Sequence, residues 1–340
     1  NRDHDCVSNN AIPNIATDGT TDAECCTCIS GYTKDASGAC VKEWVCDTSS
    51  MQTKGTFSIV TYDSCIQYGT ATLTGNLEIT GKSTLVTINA KAGQRHFVHN
   101  IKMIAYSLTL KWLKLTGGDA TNFQAPVGEG EGMKGVAKAG GSILLFSGAE
   151  LLVIRECWFH NNRAVMGGSI YQAPSSGLDG GGNALSTVSI YNTNFTSSSA
   201  ILNNIGWPGA GAGGALNVAK LHMENVRFEN NTAESMGGAV YIGSRVAGFF
   251  DADIDTSTAG QGNARGFGAS AATTITNCFF RNNQQTSTAS TDSSSNPSTY
   301  FGGGAVYFGS DITATVTSSE FIGNTAATNR GHVFFAYHEN

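Results

Sequence analysis

Charge is what this chain has least of. Only 14% of its 340 residues are Asp, Glu, Lys or Arg, and the 20 basic against 26 acidic residues leave a net charge of −6 with no basic cluster. Nucleic-acid binding needs a concentrated face of Lys and Arg to displace counterions from phosphates, so a nucleic-acid partner is excluded. Long apolar runs are missing as well. The longest, Ile143 to Ile154, is interrupted by Glu150. It falls short of the ~20 residues a spanning helix requires, and no membrane span is expected. There is also no Asp-Asp pair anywhere, which removes one common source of paired carboxylates for acid–base hydrolysis.

What the chain does have is a repeat. Five copies occupy the last 190 or so residues, each an alternating stretch ending in Phe, an Asn three residues on, then paired glycines, a small residue and an aliphatic. The Phe and Asn positions are Phe159/Asn162, Phe195/Ser198, Phe228/Asn231, Phe280/Asn283 and Phe321/Asn324. The glycine halves are Gly167-Gly168, Gly213-Gly214, Gly237-Gly238, Gly303-Gly304 and Gly331-His332, the last having lost its second glycine. The shortest glycine-to-glycine steps are 24 residues (Gly214 to Gly238) and 27 residues (Gly141 to Gly168, Gly304 to Gly331). That is too short for a propeller blade of roughly 40 residues, and the segments are too β-branched and glycine-rich for helical hairpins. Period-two alternation, as in Val240 and Ile242 or Val306 and Phe308, reads as strand. Two or three short strands per copy make one rung of a parallel β-helix, with rungs stacking at about 4.8 Å.

Stacking predicts columns of like residues. The five Phe residues form an internal aromatic column. Two residues earlier, Cys157, Thr193, Val226, Cys278 and Ser319 also face inward. Cys157 and Cys278 stand three rungs apart, too far to bond, and are expected as buried free thiols. The asparagines form a ladder of side-chain amides at a turn. The glycine pairs supply a bend and a positive φ; a phosphate cradle would need a helix after them, and none is signalled. Tyr171, Asn217, Tyr241, Tyr307 and Phe335 fall on one outward column. That column is either an exposed stripe for sugar stacking or a protein interface, or a strip shielded by a loop of the same chain.

These residues carry a resemblance. Phe-x-x-Asn with Gly-Gly-Ala-aliphatic resembles the repeats of the polymorphic outer membrane proteins, within the wider right-handed β-helix (pectin-lyase-like) superfamily. Leu108 to Gly118 resembles an earlier rung, with Gly140-Gly141-Ser142-Ile143 as its glycine half, so the likeness covers roughly residues 75–340. It implies an all-β fold, a right-handed single-stranded parallel β-helix over 49–340. Polar insertions leave the rungs near 172–187, 200–212, 245–272 and 284–300. The superfamily holds lyases, hydrolases, adhesins and fibre proteins, so the likeness does not choose a function.

Residues 1–48 differ in composition, and seven of the nine cysteines lie within the first 65 residues. Cys26-Thr27-Cys28-Ile29-Ser30-Gly31-Tyr32, closed by Cys40, resembles the second half of an EGF-like module. The resemblance implies a Cys28–Cys40 bridge. Cys6, Cys25 and Cys26 are one cysteine short of a full module, and Cys46 and Cys65 flank the junction as a candidate bridge. A metal site is the poorer reading, for want of ligands and of a His cluster. Seven is odd, so one thiol here is free or bonded to another chain. Cysteine density indicates an oxidising compartment, and a start at Asn1 without a visible signal peptide fits a processed, secreted protein. Asn194 and Asn230 are sequence acceptors for N-glycans.

The enzymatic alternative, a polysaccharide lyase or hydrolase, needs a carboxylate cluster. Its best candidate is Asp251, Asp253 and Asp255, which depart from a calcium loop at Thr256 and Gly262; Glu129 and Glu131 rank lower. No cofactor or metal is called for. The apolar-aromatic Val333 to Tyr337, without a capping helix, points to an assembly end at Phe334, Phe335 and Tyr337. The leading expectation is a non-enzymatic extracellular structural protein, a homo-oligomer or homopolymer joined head to tail; the alternative binds or cleaves polysaccharide.

Overall fold

The computed structural model describes backbone and side chains over 64–82, 85–98, 106–123, 137–145, 151–172, 187–201, 210–243, 272–287, 302–309, 312–327, 331 and 333–334. For 11–13, 26–28, 32–34, 40–42, 57–61, 99, 271 and 335–336 it describes the backbone alone. Every regular element among these residues is a strand. Two small antiparallel pairs come first: Ala11–Pro13 with Cys26–Cys28, and Tyr32–Lys34 with Cys40–Lys42. The Cys28–Cys40 bridge and the rest of the expected EGF-like module lie outside the described residues, as do most of the four expected insertions.

From Phe57 onward the chain builds a stack of parallel strands. Three eight-stranded sheets run the length of it and a five-stranded sheet accompanies the last five rungs, and each strand pairs with its equivalents in the neighbouring rungs. We number the sheets in the order the chain visits them. Sheet I holds strands such as Leu151–Arg155, sheet II Trp158–His160, sheet III Arg163–Ala164 and sheet IV Ile170–Gln172. Eight rungs result, three more than the repeat pattern marks. The first two lack both the Phe-x-x-Asn and the glycine signature and the third keeps only its glycine half, Gly140-Gly141; their place in the aromatic column is taken by Cys65, Ile88 and Leu115. The two-residue strands of sheet III are a further element beyond the expected two or three.

The core is a set of columns. Phe159, Phe195, Phe228, Phe280 and Phe321 stack with ring centroids 4.8, 5.0, 4.8 and 4.7 Å apart and planes within 11°. In sheet I, Ile79, Leu110, Ile154, Ile190, Met223, Ile275 and Val316 stand in register. In sheet IV the column is Phe97, Ile143, Ile170, Leu216, Val240, Val306 and Phe334. Alternation delivers this: every second side chain of a strand points the same way, and stacking buries that face between rungs.

Single residues in the left-handed region turn the chain at two corners. Trp112, Glu156, Asn192, Asn225, Asn277 and Ser318 do so between sheets I and II, with φ from 47 to 56°. Asn161, Ser197, Asn230 and Asn282 do so after sheet II, with φ from 52 to 55°. Asn tolerates this conformation better than most residues, which explains its abundance here. Next to the second corner, Asn162, Asn231, Asn283 and Asn324 form the expected ladder. Asn231 Nδ2 donates to Phe195 O and Asn283 Oδ1, both at 3.0 Å, and Asn283 Nδ2 donates to Phe228 O at 3.0 Å and Asn324 Oδ1 at 2.9 Å. Ser198 interrupts the ladder, and its hydroxyl meets Ser169 Oγ at 2.9 Å instead.

The paired glycines do two different things. The first of each pair has a positive φ, 58 to 70° at Gly167, Gly213, Gly237 and Gly303. The second has no room: a Cβ on Gly168, Gly214 or Gly238 would sit 2.0–2.1 Å from the carbonyl oxygen of the equivalent glycine in the next rung.

Candidate functional site

The outward column of sheet IV has the expected register, with Tyr171 opposite Asn217, Asn217 opposite Tyr241, Tyr241 opposite Tyr307, and Tyr307 opposite Phe335. It is not an exposed stripe. Tyr171, Asn217, Tyr241 and Tyr307 are all buried, at 0, 4, 8 and 2% exposure. Tyr241 and Tyr307 stack at 5.4 Å and pack with Ala212 and Met236 as a second apolar layer outside the sheet. The Tyr241 hydroxyl folds back over Gly243, where a Cβ would lie 2.5 Å from it. Burial pushes the Tyr241 phenol up to about 12 and raises Tyr171 further. This corrects the reading of Tyr171, Tyr241 and Tyr307 as a stripe for sugars. The side chain of Phe335 lies outside the described residues.

Cys157 and Cys278 are buried and free. Each Sγ donates to the carbonyl two residues back, Arg155 O at 3.2 Å and Thr276 O at 3.3 Å. Burial raises the thiols to about 12 and about 11, so neither is a nucleophile at neutral pH. Cys65 is disulfide-bonded. Since Cys157 and Cys278 are free, its partner is a cysteine whose side chain lies outside the described residues. Cys6, Cys25, Cys26, Cys28, Cys40 and Cys46 fall in that group.

Asp251, Asp253, Asp255, Glu129 and Glu131 also lie outside the described residues. Among the described residues no three His, Cys, Asp or Glu side chains stand close enough to hold a metal ion. Both glycan acceptors face out: Asn194 is exposed on its strand, and Asn230 is exposed at its left-handed corner.

A buried polar node lies among the earlier rungs. His96 is fully buried, its Nδ1 2.9 Å from Ser142 Oγ and its Nε2 3.0 Å from Ile88 O. Desolvation lowers its pKa to about 4 against the opposing pull of the Ile88 and Thr116 carbonyls. It is therefore a neutral, structural histidine. Arg95 beside it lies 4.5 Å over the Phe123 ring and donates to Ala137 O; burial lowers it to about 9.

The two ends of the stack differ. All four sheets finish on the rung 312–336, where inward-facing Val316 is 37% and Phe334 38% exposed. Phe334 still touches Phe308 and Phe321, at 6.0 and 4.6 Å between centroids. At the other end Ala71, Leu73 and Gln67 are buried although their strands pair on one side only. Tyr337 lies outside the described residues.

A surface that the sequence reading missed runs along the corner between sheets I and II. Lys111 Nζ lies 4.0 Å over the Trp112 ring, Lys114 Nζ 4.1 Å over Trp158, and the Arg155 guanidinium 4.5 Å over Tyr191. Trp158 Nε1 donates to Thr196 Oγ1 at 2.7 Å, and His160 Nδ1 meets the same hydroxyl at 2.8 Å. The residues are scattered over some 80 positions of sequence, and only the register gathers them. Comparison with protein-family models, with curated proteins and with solved structures finds no match to this chain.

Proposed function

We propose that the chain is a right-handed, single-stranded parallel β-helix serving as a non-enzymatic extracellular structural protein, joined head to tail into a surface filament or appendage. The observation that carries this is the rung at 312–336, the last of the described stack. It offers four sheet edges together with inward-facing Val316 and Phe334 that remain more than a third exposed. Burying one such side chain stabilises by roughly 1.5–3 kcal/mol, so this end gains from a cover. A second copy supplies one through its N-terminal region, because a heterologous contact that does not close generates a filament. The odd number of cysteines in the first 65 residues leaves a thiol available to bridge subunits. Parallel crossovers are right-handed in nearly all proteins, which supports the handedness. The cysteine-dense start, read as an EGF-like module, and the exposed acceptors Asn194 and Asn230 support a secreted glycoprotein.

The test is a paired substitution, Val316→Asp with Phe334→Asp, in the full chain. Sedimentation should shift from a polymer to a monomer while the β-type circular dichroism persists. A wild-type protein that stays monomeric at high concentration contradicts the proposal.

A further inference from the structure

Among the described residues, Arg95 is the only Asp, Glu, Lys or Arg that is buried, at 1% exposure. Desolvation lowers its pKa to about 9, which still leaves the guanidinium protonated at neutral pH, and no neighbouring carboxylate opposes that shift. The cost of burial therefore cannot be escaped by losing a proton. A buried charge is tolerated when it is paired and fully hydrogen-bonded, and is strongly destabilising when it is not.

The chain supplies little in return. Nη2 donates to Ala137 O, while the Nε–H is buried without a partner. The Phe123 ring lies 4.5 Å from Cζ; it attracts the charge without accepting a conventional hydrogen bond. Asp119 on the following rung is close in the backbone, its N–H donating to Gln94 O at 2.8 Å. Its carboxylate is engaged elsewhere, Oδ1 accepting from Thr121 N at 2.9 Å and from Thr121 Oγ1 at 2.6 Å. Among the described residues no carboxylate comes within ion-pairing distance of Arg95.

We infer that Arg95 anchors a small-anion site, in which a halide or a short carboxylate such as acetate accepts from the Nε–H and neutralises the guanidinium beside Phe123 and Ala137. Three properties define the ligand. It is negative, because a water molecule would satisfy the Nε–H but leave the charge uncompensated. It is small, because a group with 1% exposure admits no polymer and no bulky ester. It carries a single charge, because one guanidinium faces it and Asp119 stands on the following rung. Bound there, the ion holds Arg95, Phe123 and Ala137 together and stabilises the early rungs. The inference stands apart from the filament reading: this site belongs to the early rungs, and the exposed apolar residues to the last described one.

The experiment follows thermal unfolding of the full chain at constant ionic strength, while chloride, bromide or acetate replaces gluconate, an anion too bulky to be enclosed. Raising at least one of the small anions from about 1 to about 100 mM should raise the wild-type melting temperature by about 2 °C or more, along a saturable curve. The order of the three identifies halide or carboxylate as the ligand. Arg95→Met keeps an unbranched side chain but removes the charge, and it should lose the saturable rise while keeping any general salt effect. If that variant does not fold, wild-type crystals soaked in bromide or acetate carry the test: density for one of these anions should lie within hydrogen-bonding distance of Arg95 Nε. A rise of equal size in wild type and Arg95→Met overturns the inference. So does the absence of a rise with all three anions, or a crystal structure in which only water or a carboxylate of the chain itself meets Arg95.

Discussion

At the scale of single residues, the repeat is held by steric and hydrogen-bonding demands that few side chains meet. Gly238 is the sharpest case. A Cβ there would lie 2.1 Å from Gly304 O and 2.7 Å from the Gln284 backbone, and none of these atoms belongs to a side chain that can swing away. Gly238→Ala should therefore cost about 3 kcal/mol or more in unfolding free energy, at or above the upper end for overpacking a tight interior. Gly93→Ala is the control: its φ is +74° but nothing lies within 4 Å, so it should cost only about 1–2 kcal/mol. Equal losses in urea titrations of the two would refute the stacking argument. His96 gives a second residue-level prediction. Its pKa is about 4 folded against an ordinary 6.5, so between those values the unfolded chain binds a proton that the folded chain refuses. Stability should thus fall as pH drops through that window, by up to about 3 kcal/mol below it. His96→Gln should remove that component of the pH dependence. A wild type and variant with parallel stability–pH curves from 7 to 4 would show that His96 is not buried neutral. Phe, Asn and Gly were legible in sequence because their roles demand one residue type. The corner between sheets I and II was not, because Trp112, Glu156, Asn192 and Ser318 all fill it and share only a backbone angle.

At the scale of elements, period-two alternation places the inward columns correctly, and the small residues two positions before each Phe do face the core. Their backbone links run from rung to rung, as Asn194 N to Cys157 O and Phe279 N to Val226 O. The two thiols in that column should resist alkylation in native buffer and react only on unfolding, at rates tracking the denaturation midpoint. Rapid labelling of Cys157 or Cys278 in the folded protein would place them outside the core. Alternation did not reveal that the outward face of sheet IV is covered as well. A strand buried on both faces and one buried on a single face differ little over three residues, as the run Val240–Ile242 illustrates. The two-residue strands of sheet III escaped for a related reason, since two residues define no period. The cation–aromatic corner escaped because Arg155 and Tyr191, or Lys114 and Trp158, are brought together only by rung register.

At the scale of the whole molecule, the parallel stack was readable from the repeat, while the rungs before Leu108 had to be found in three dimensions. Those rungs use Cys65 and Ile88 where later ones use Phe, so they share the column without sharing the motif. The account of function rests on the asymmetry of the ends: buried at Ala71 and Leu73, open at Val316 and Phe334. A stack built this way transmits order along one axis, and a partly exposed apolar rung favours continuing it. The most direct measurement is electron cryo-microscopy of the purified wild-type protein at rising concentration. The account predicts filaments in which the 312–336 rung of each subunit is covered by the N-terminal region of the next. Isolated single rods at every concentration, with that rung covered by residues of the same chain, would contradict it.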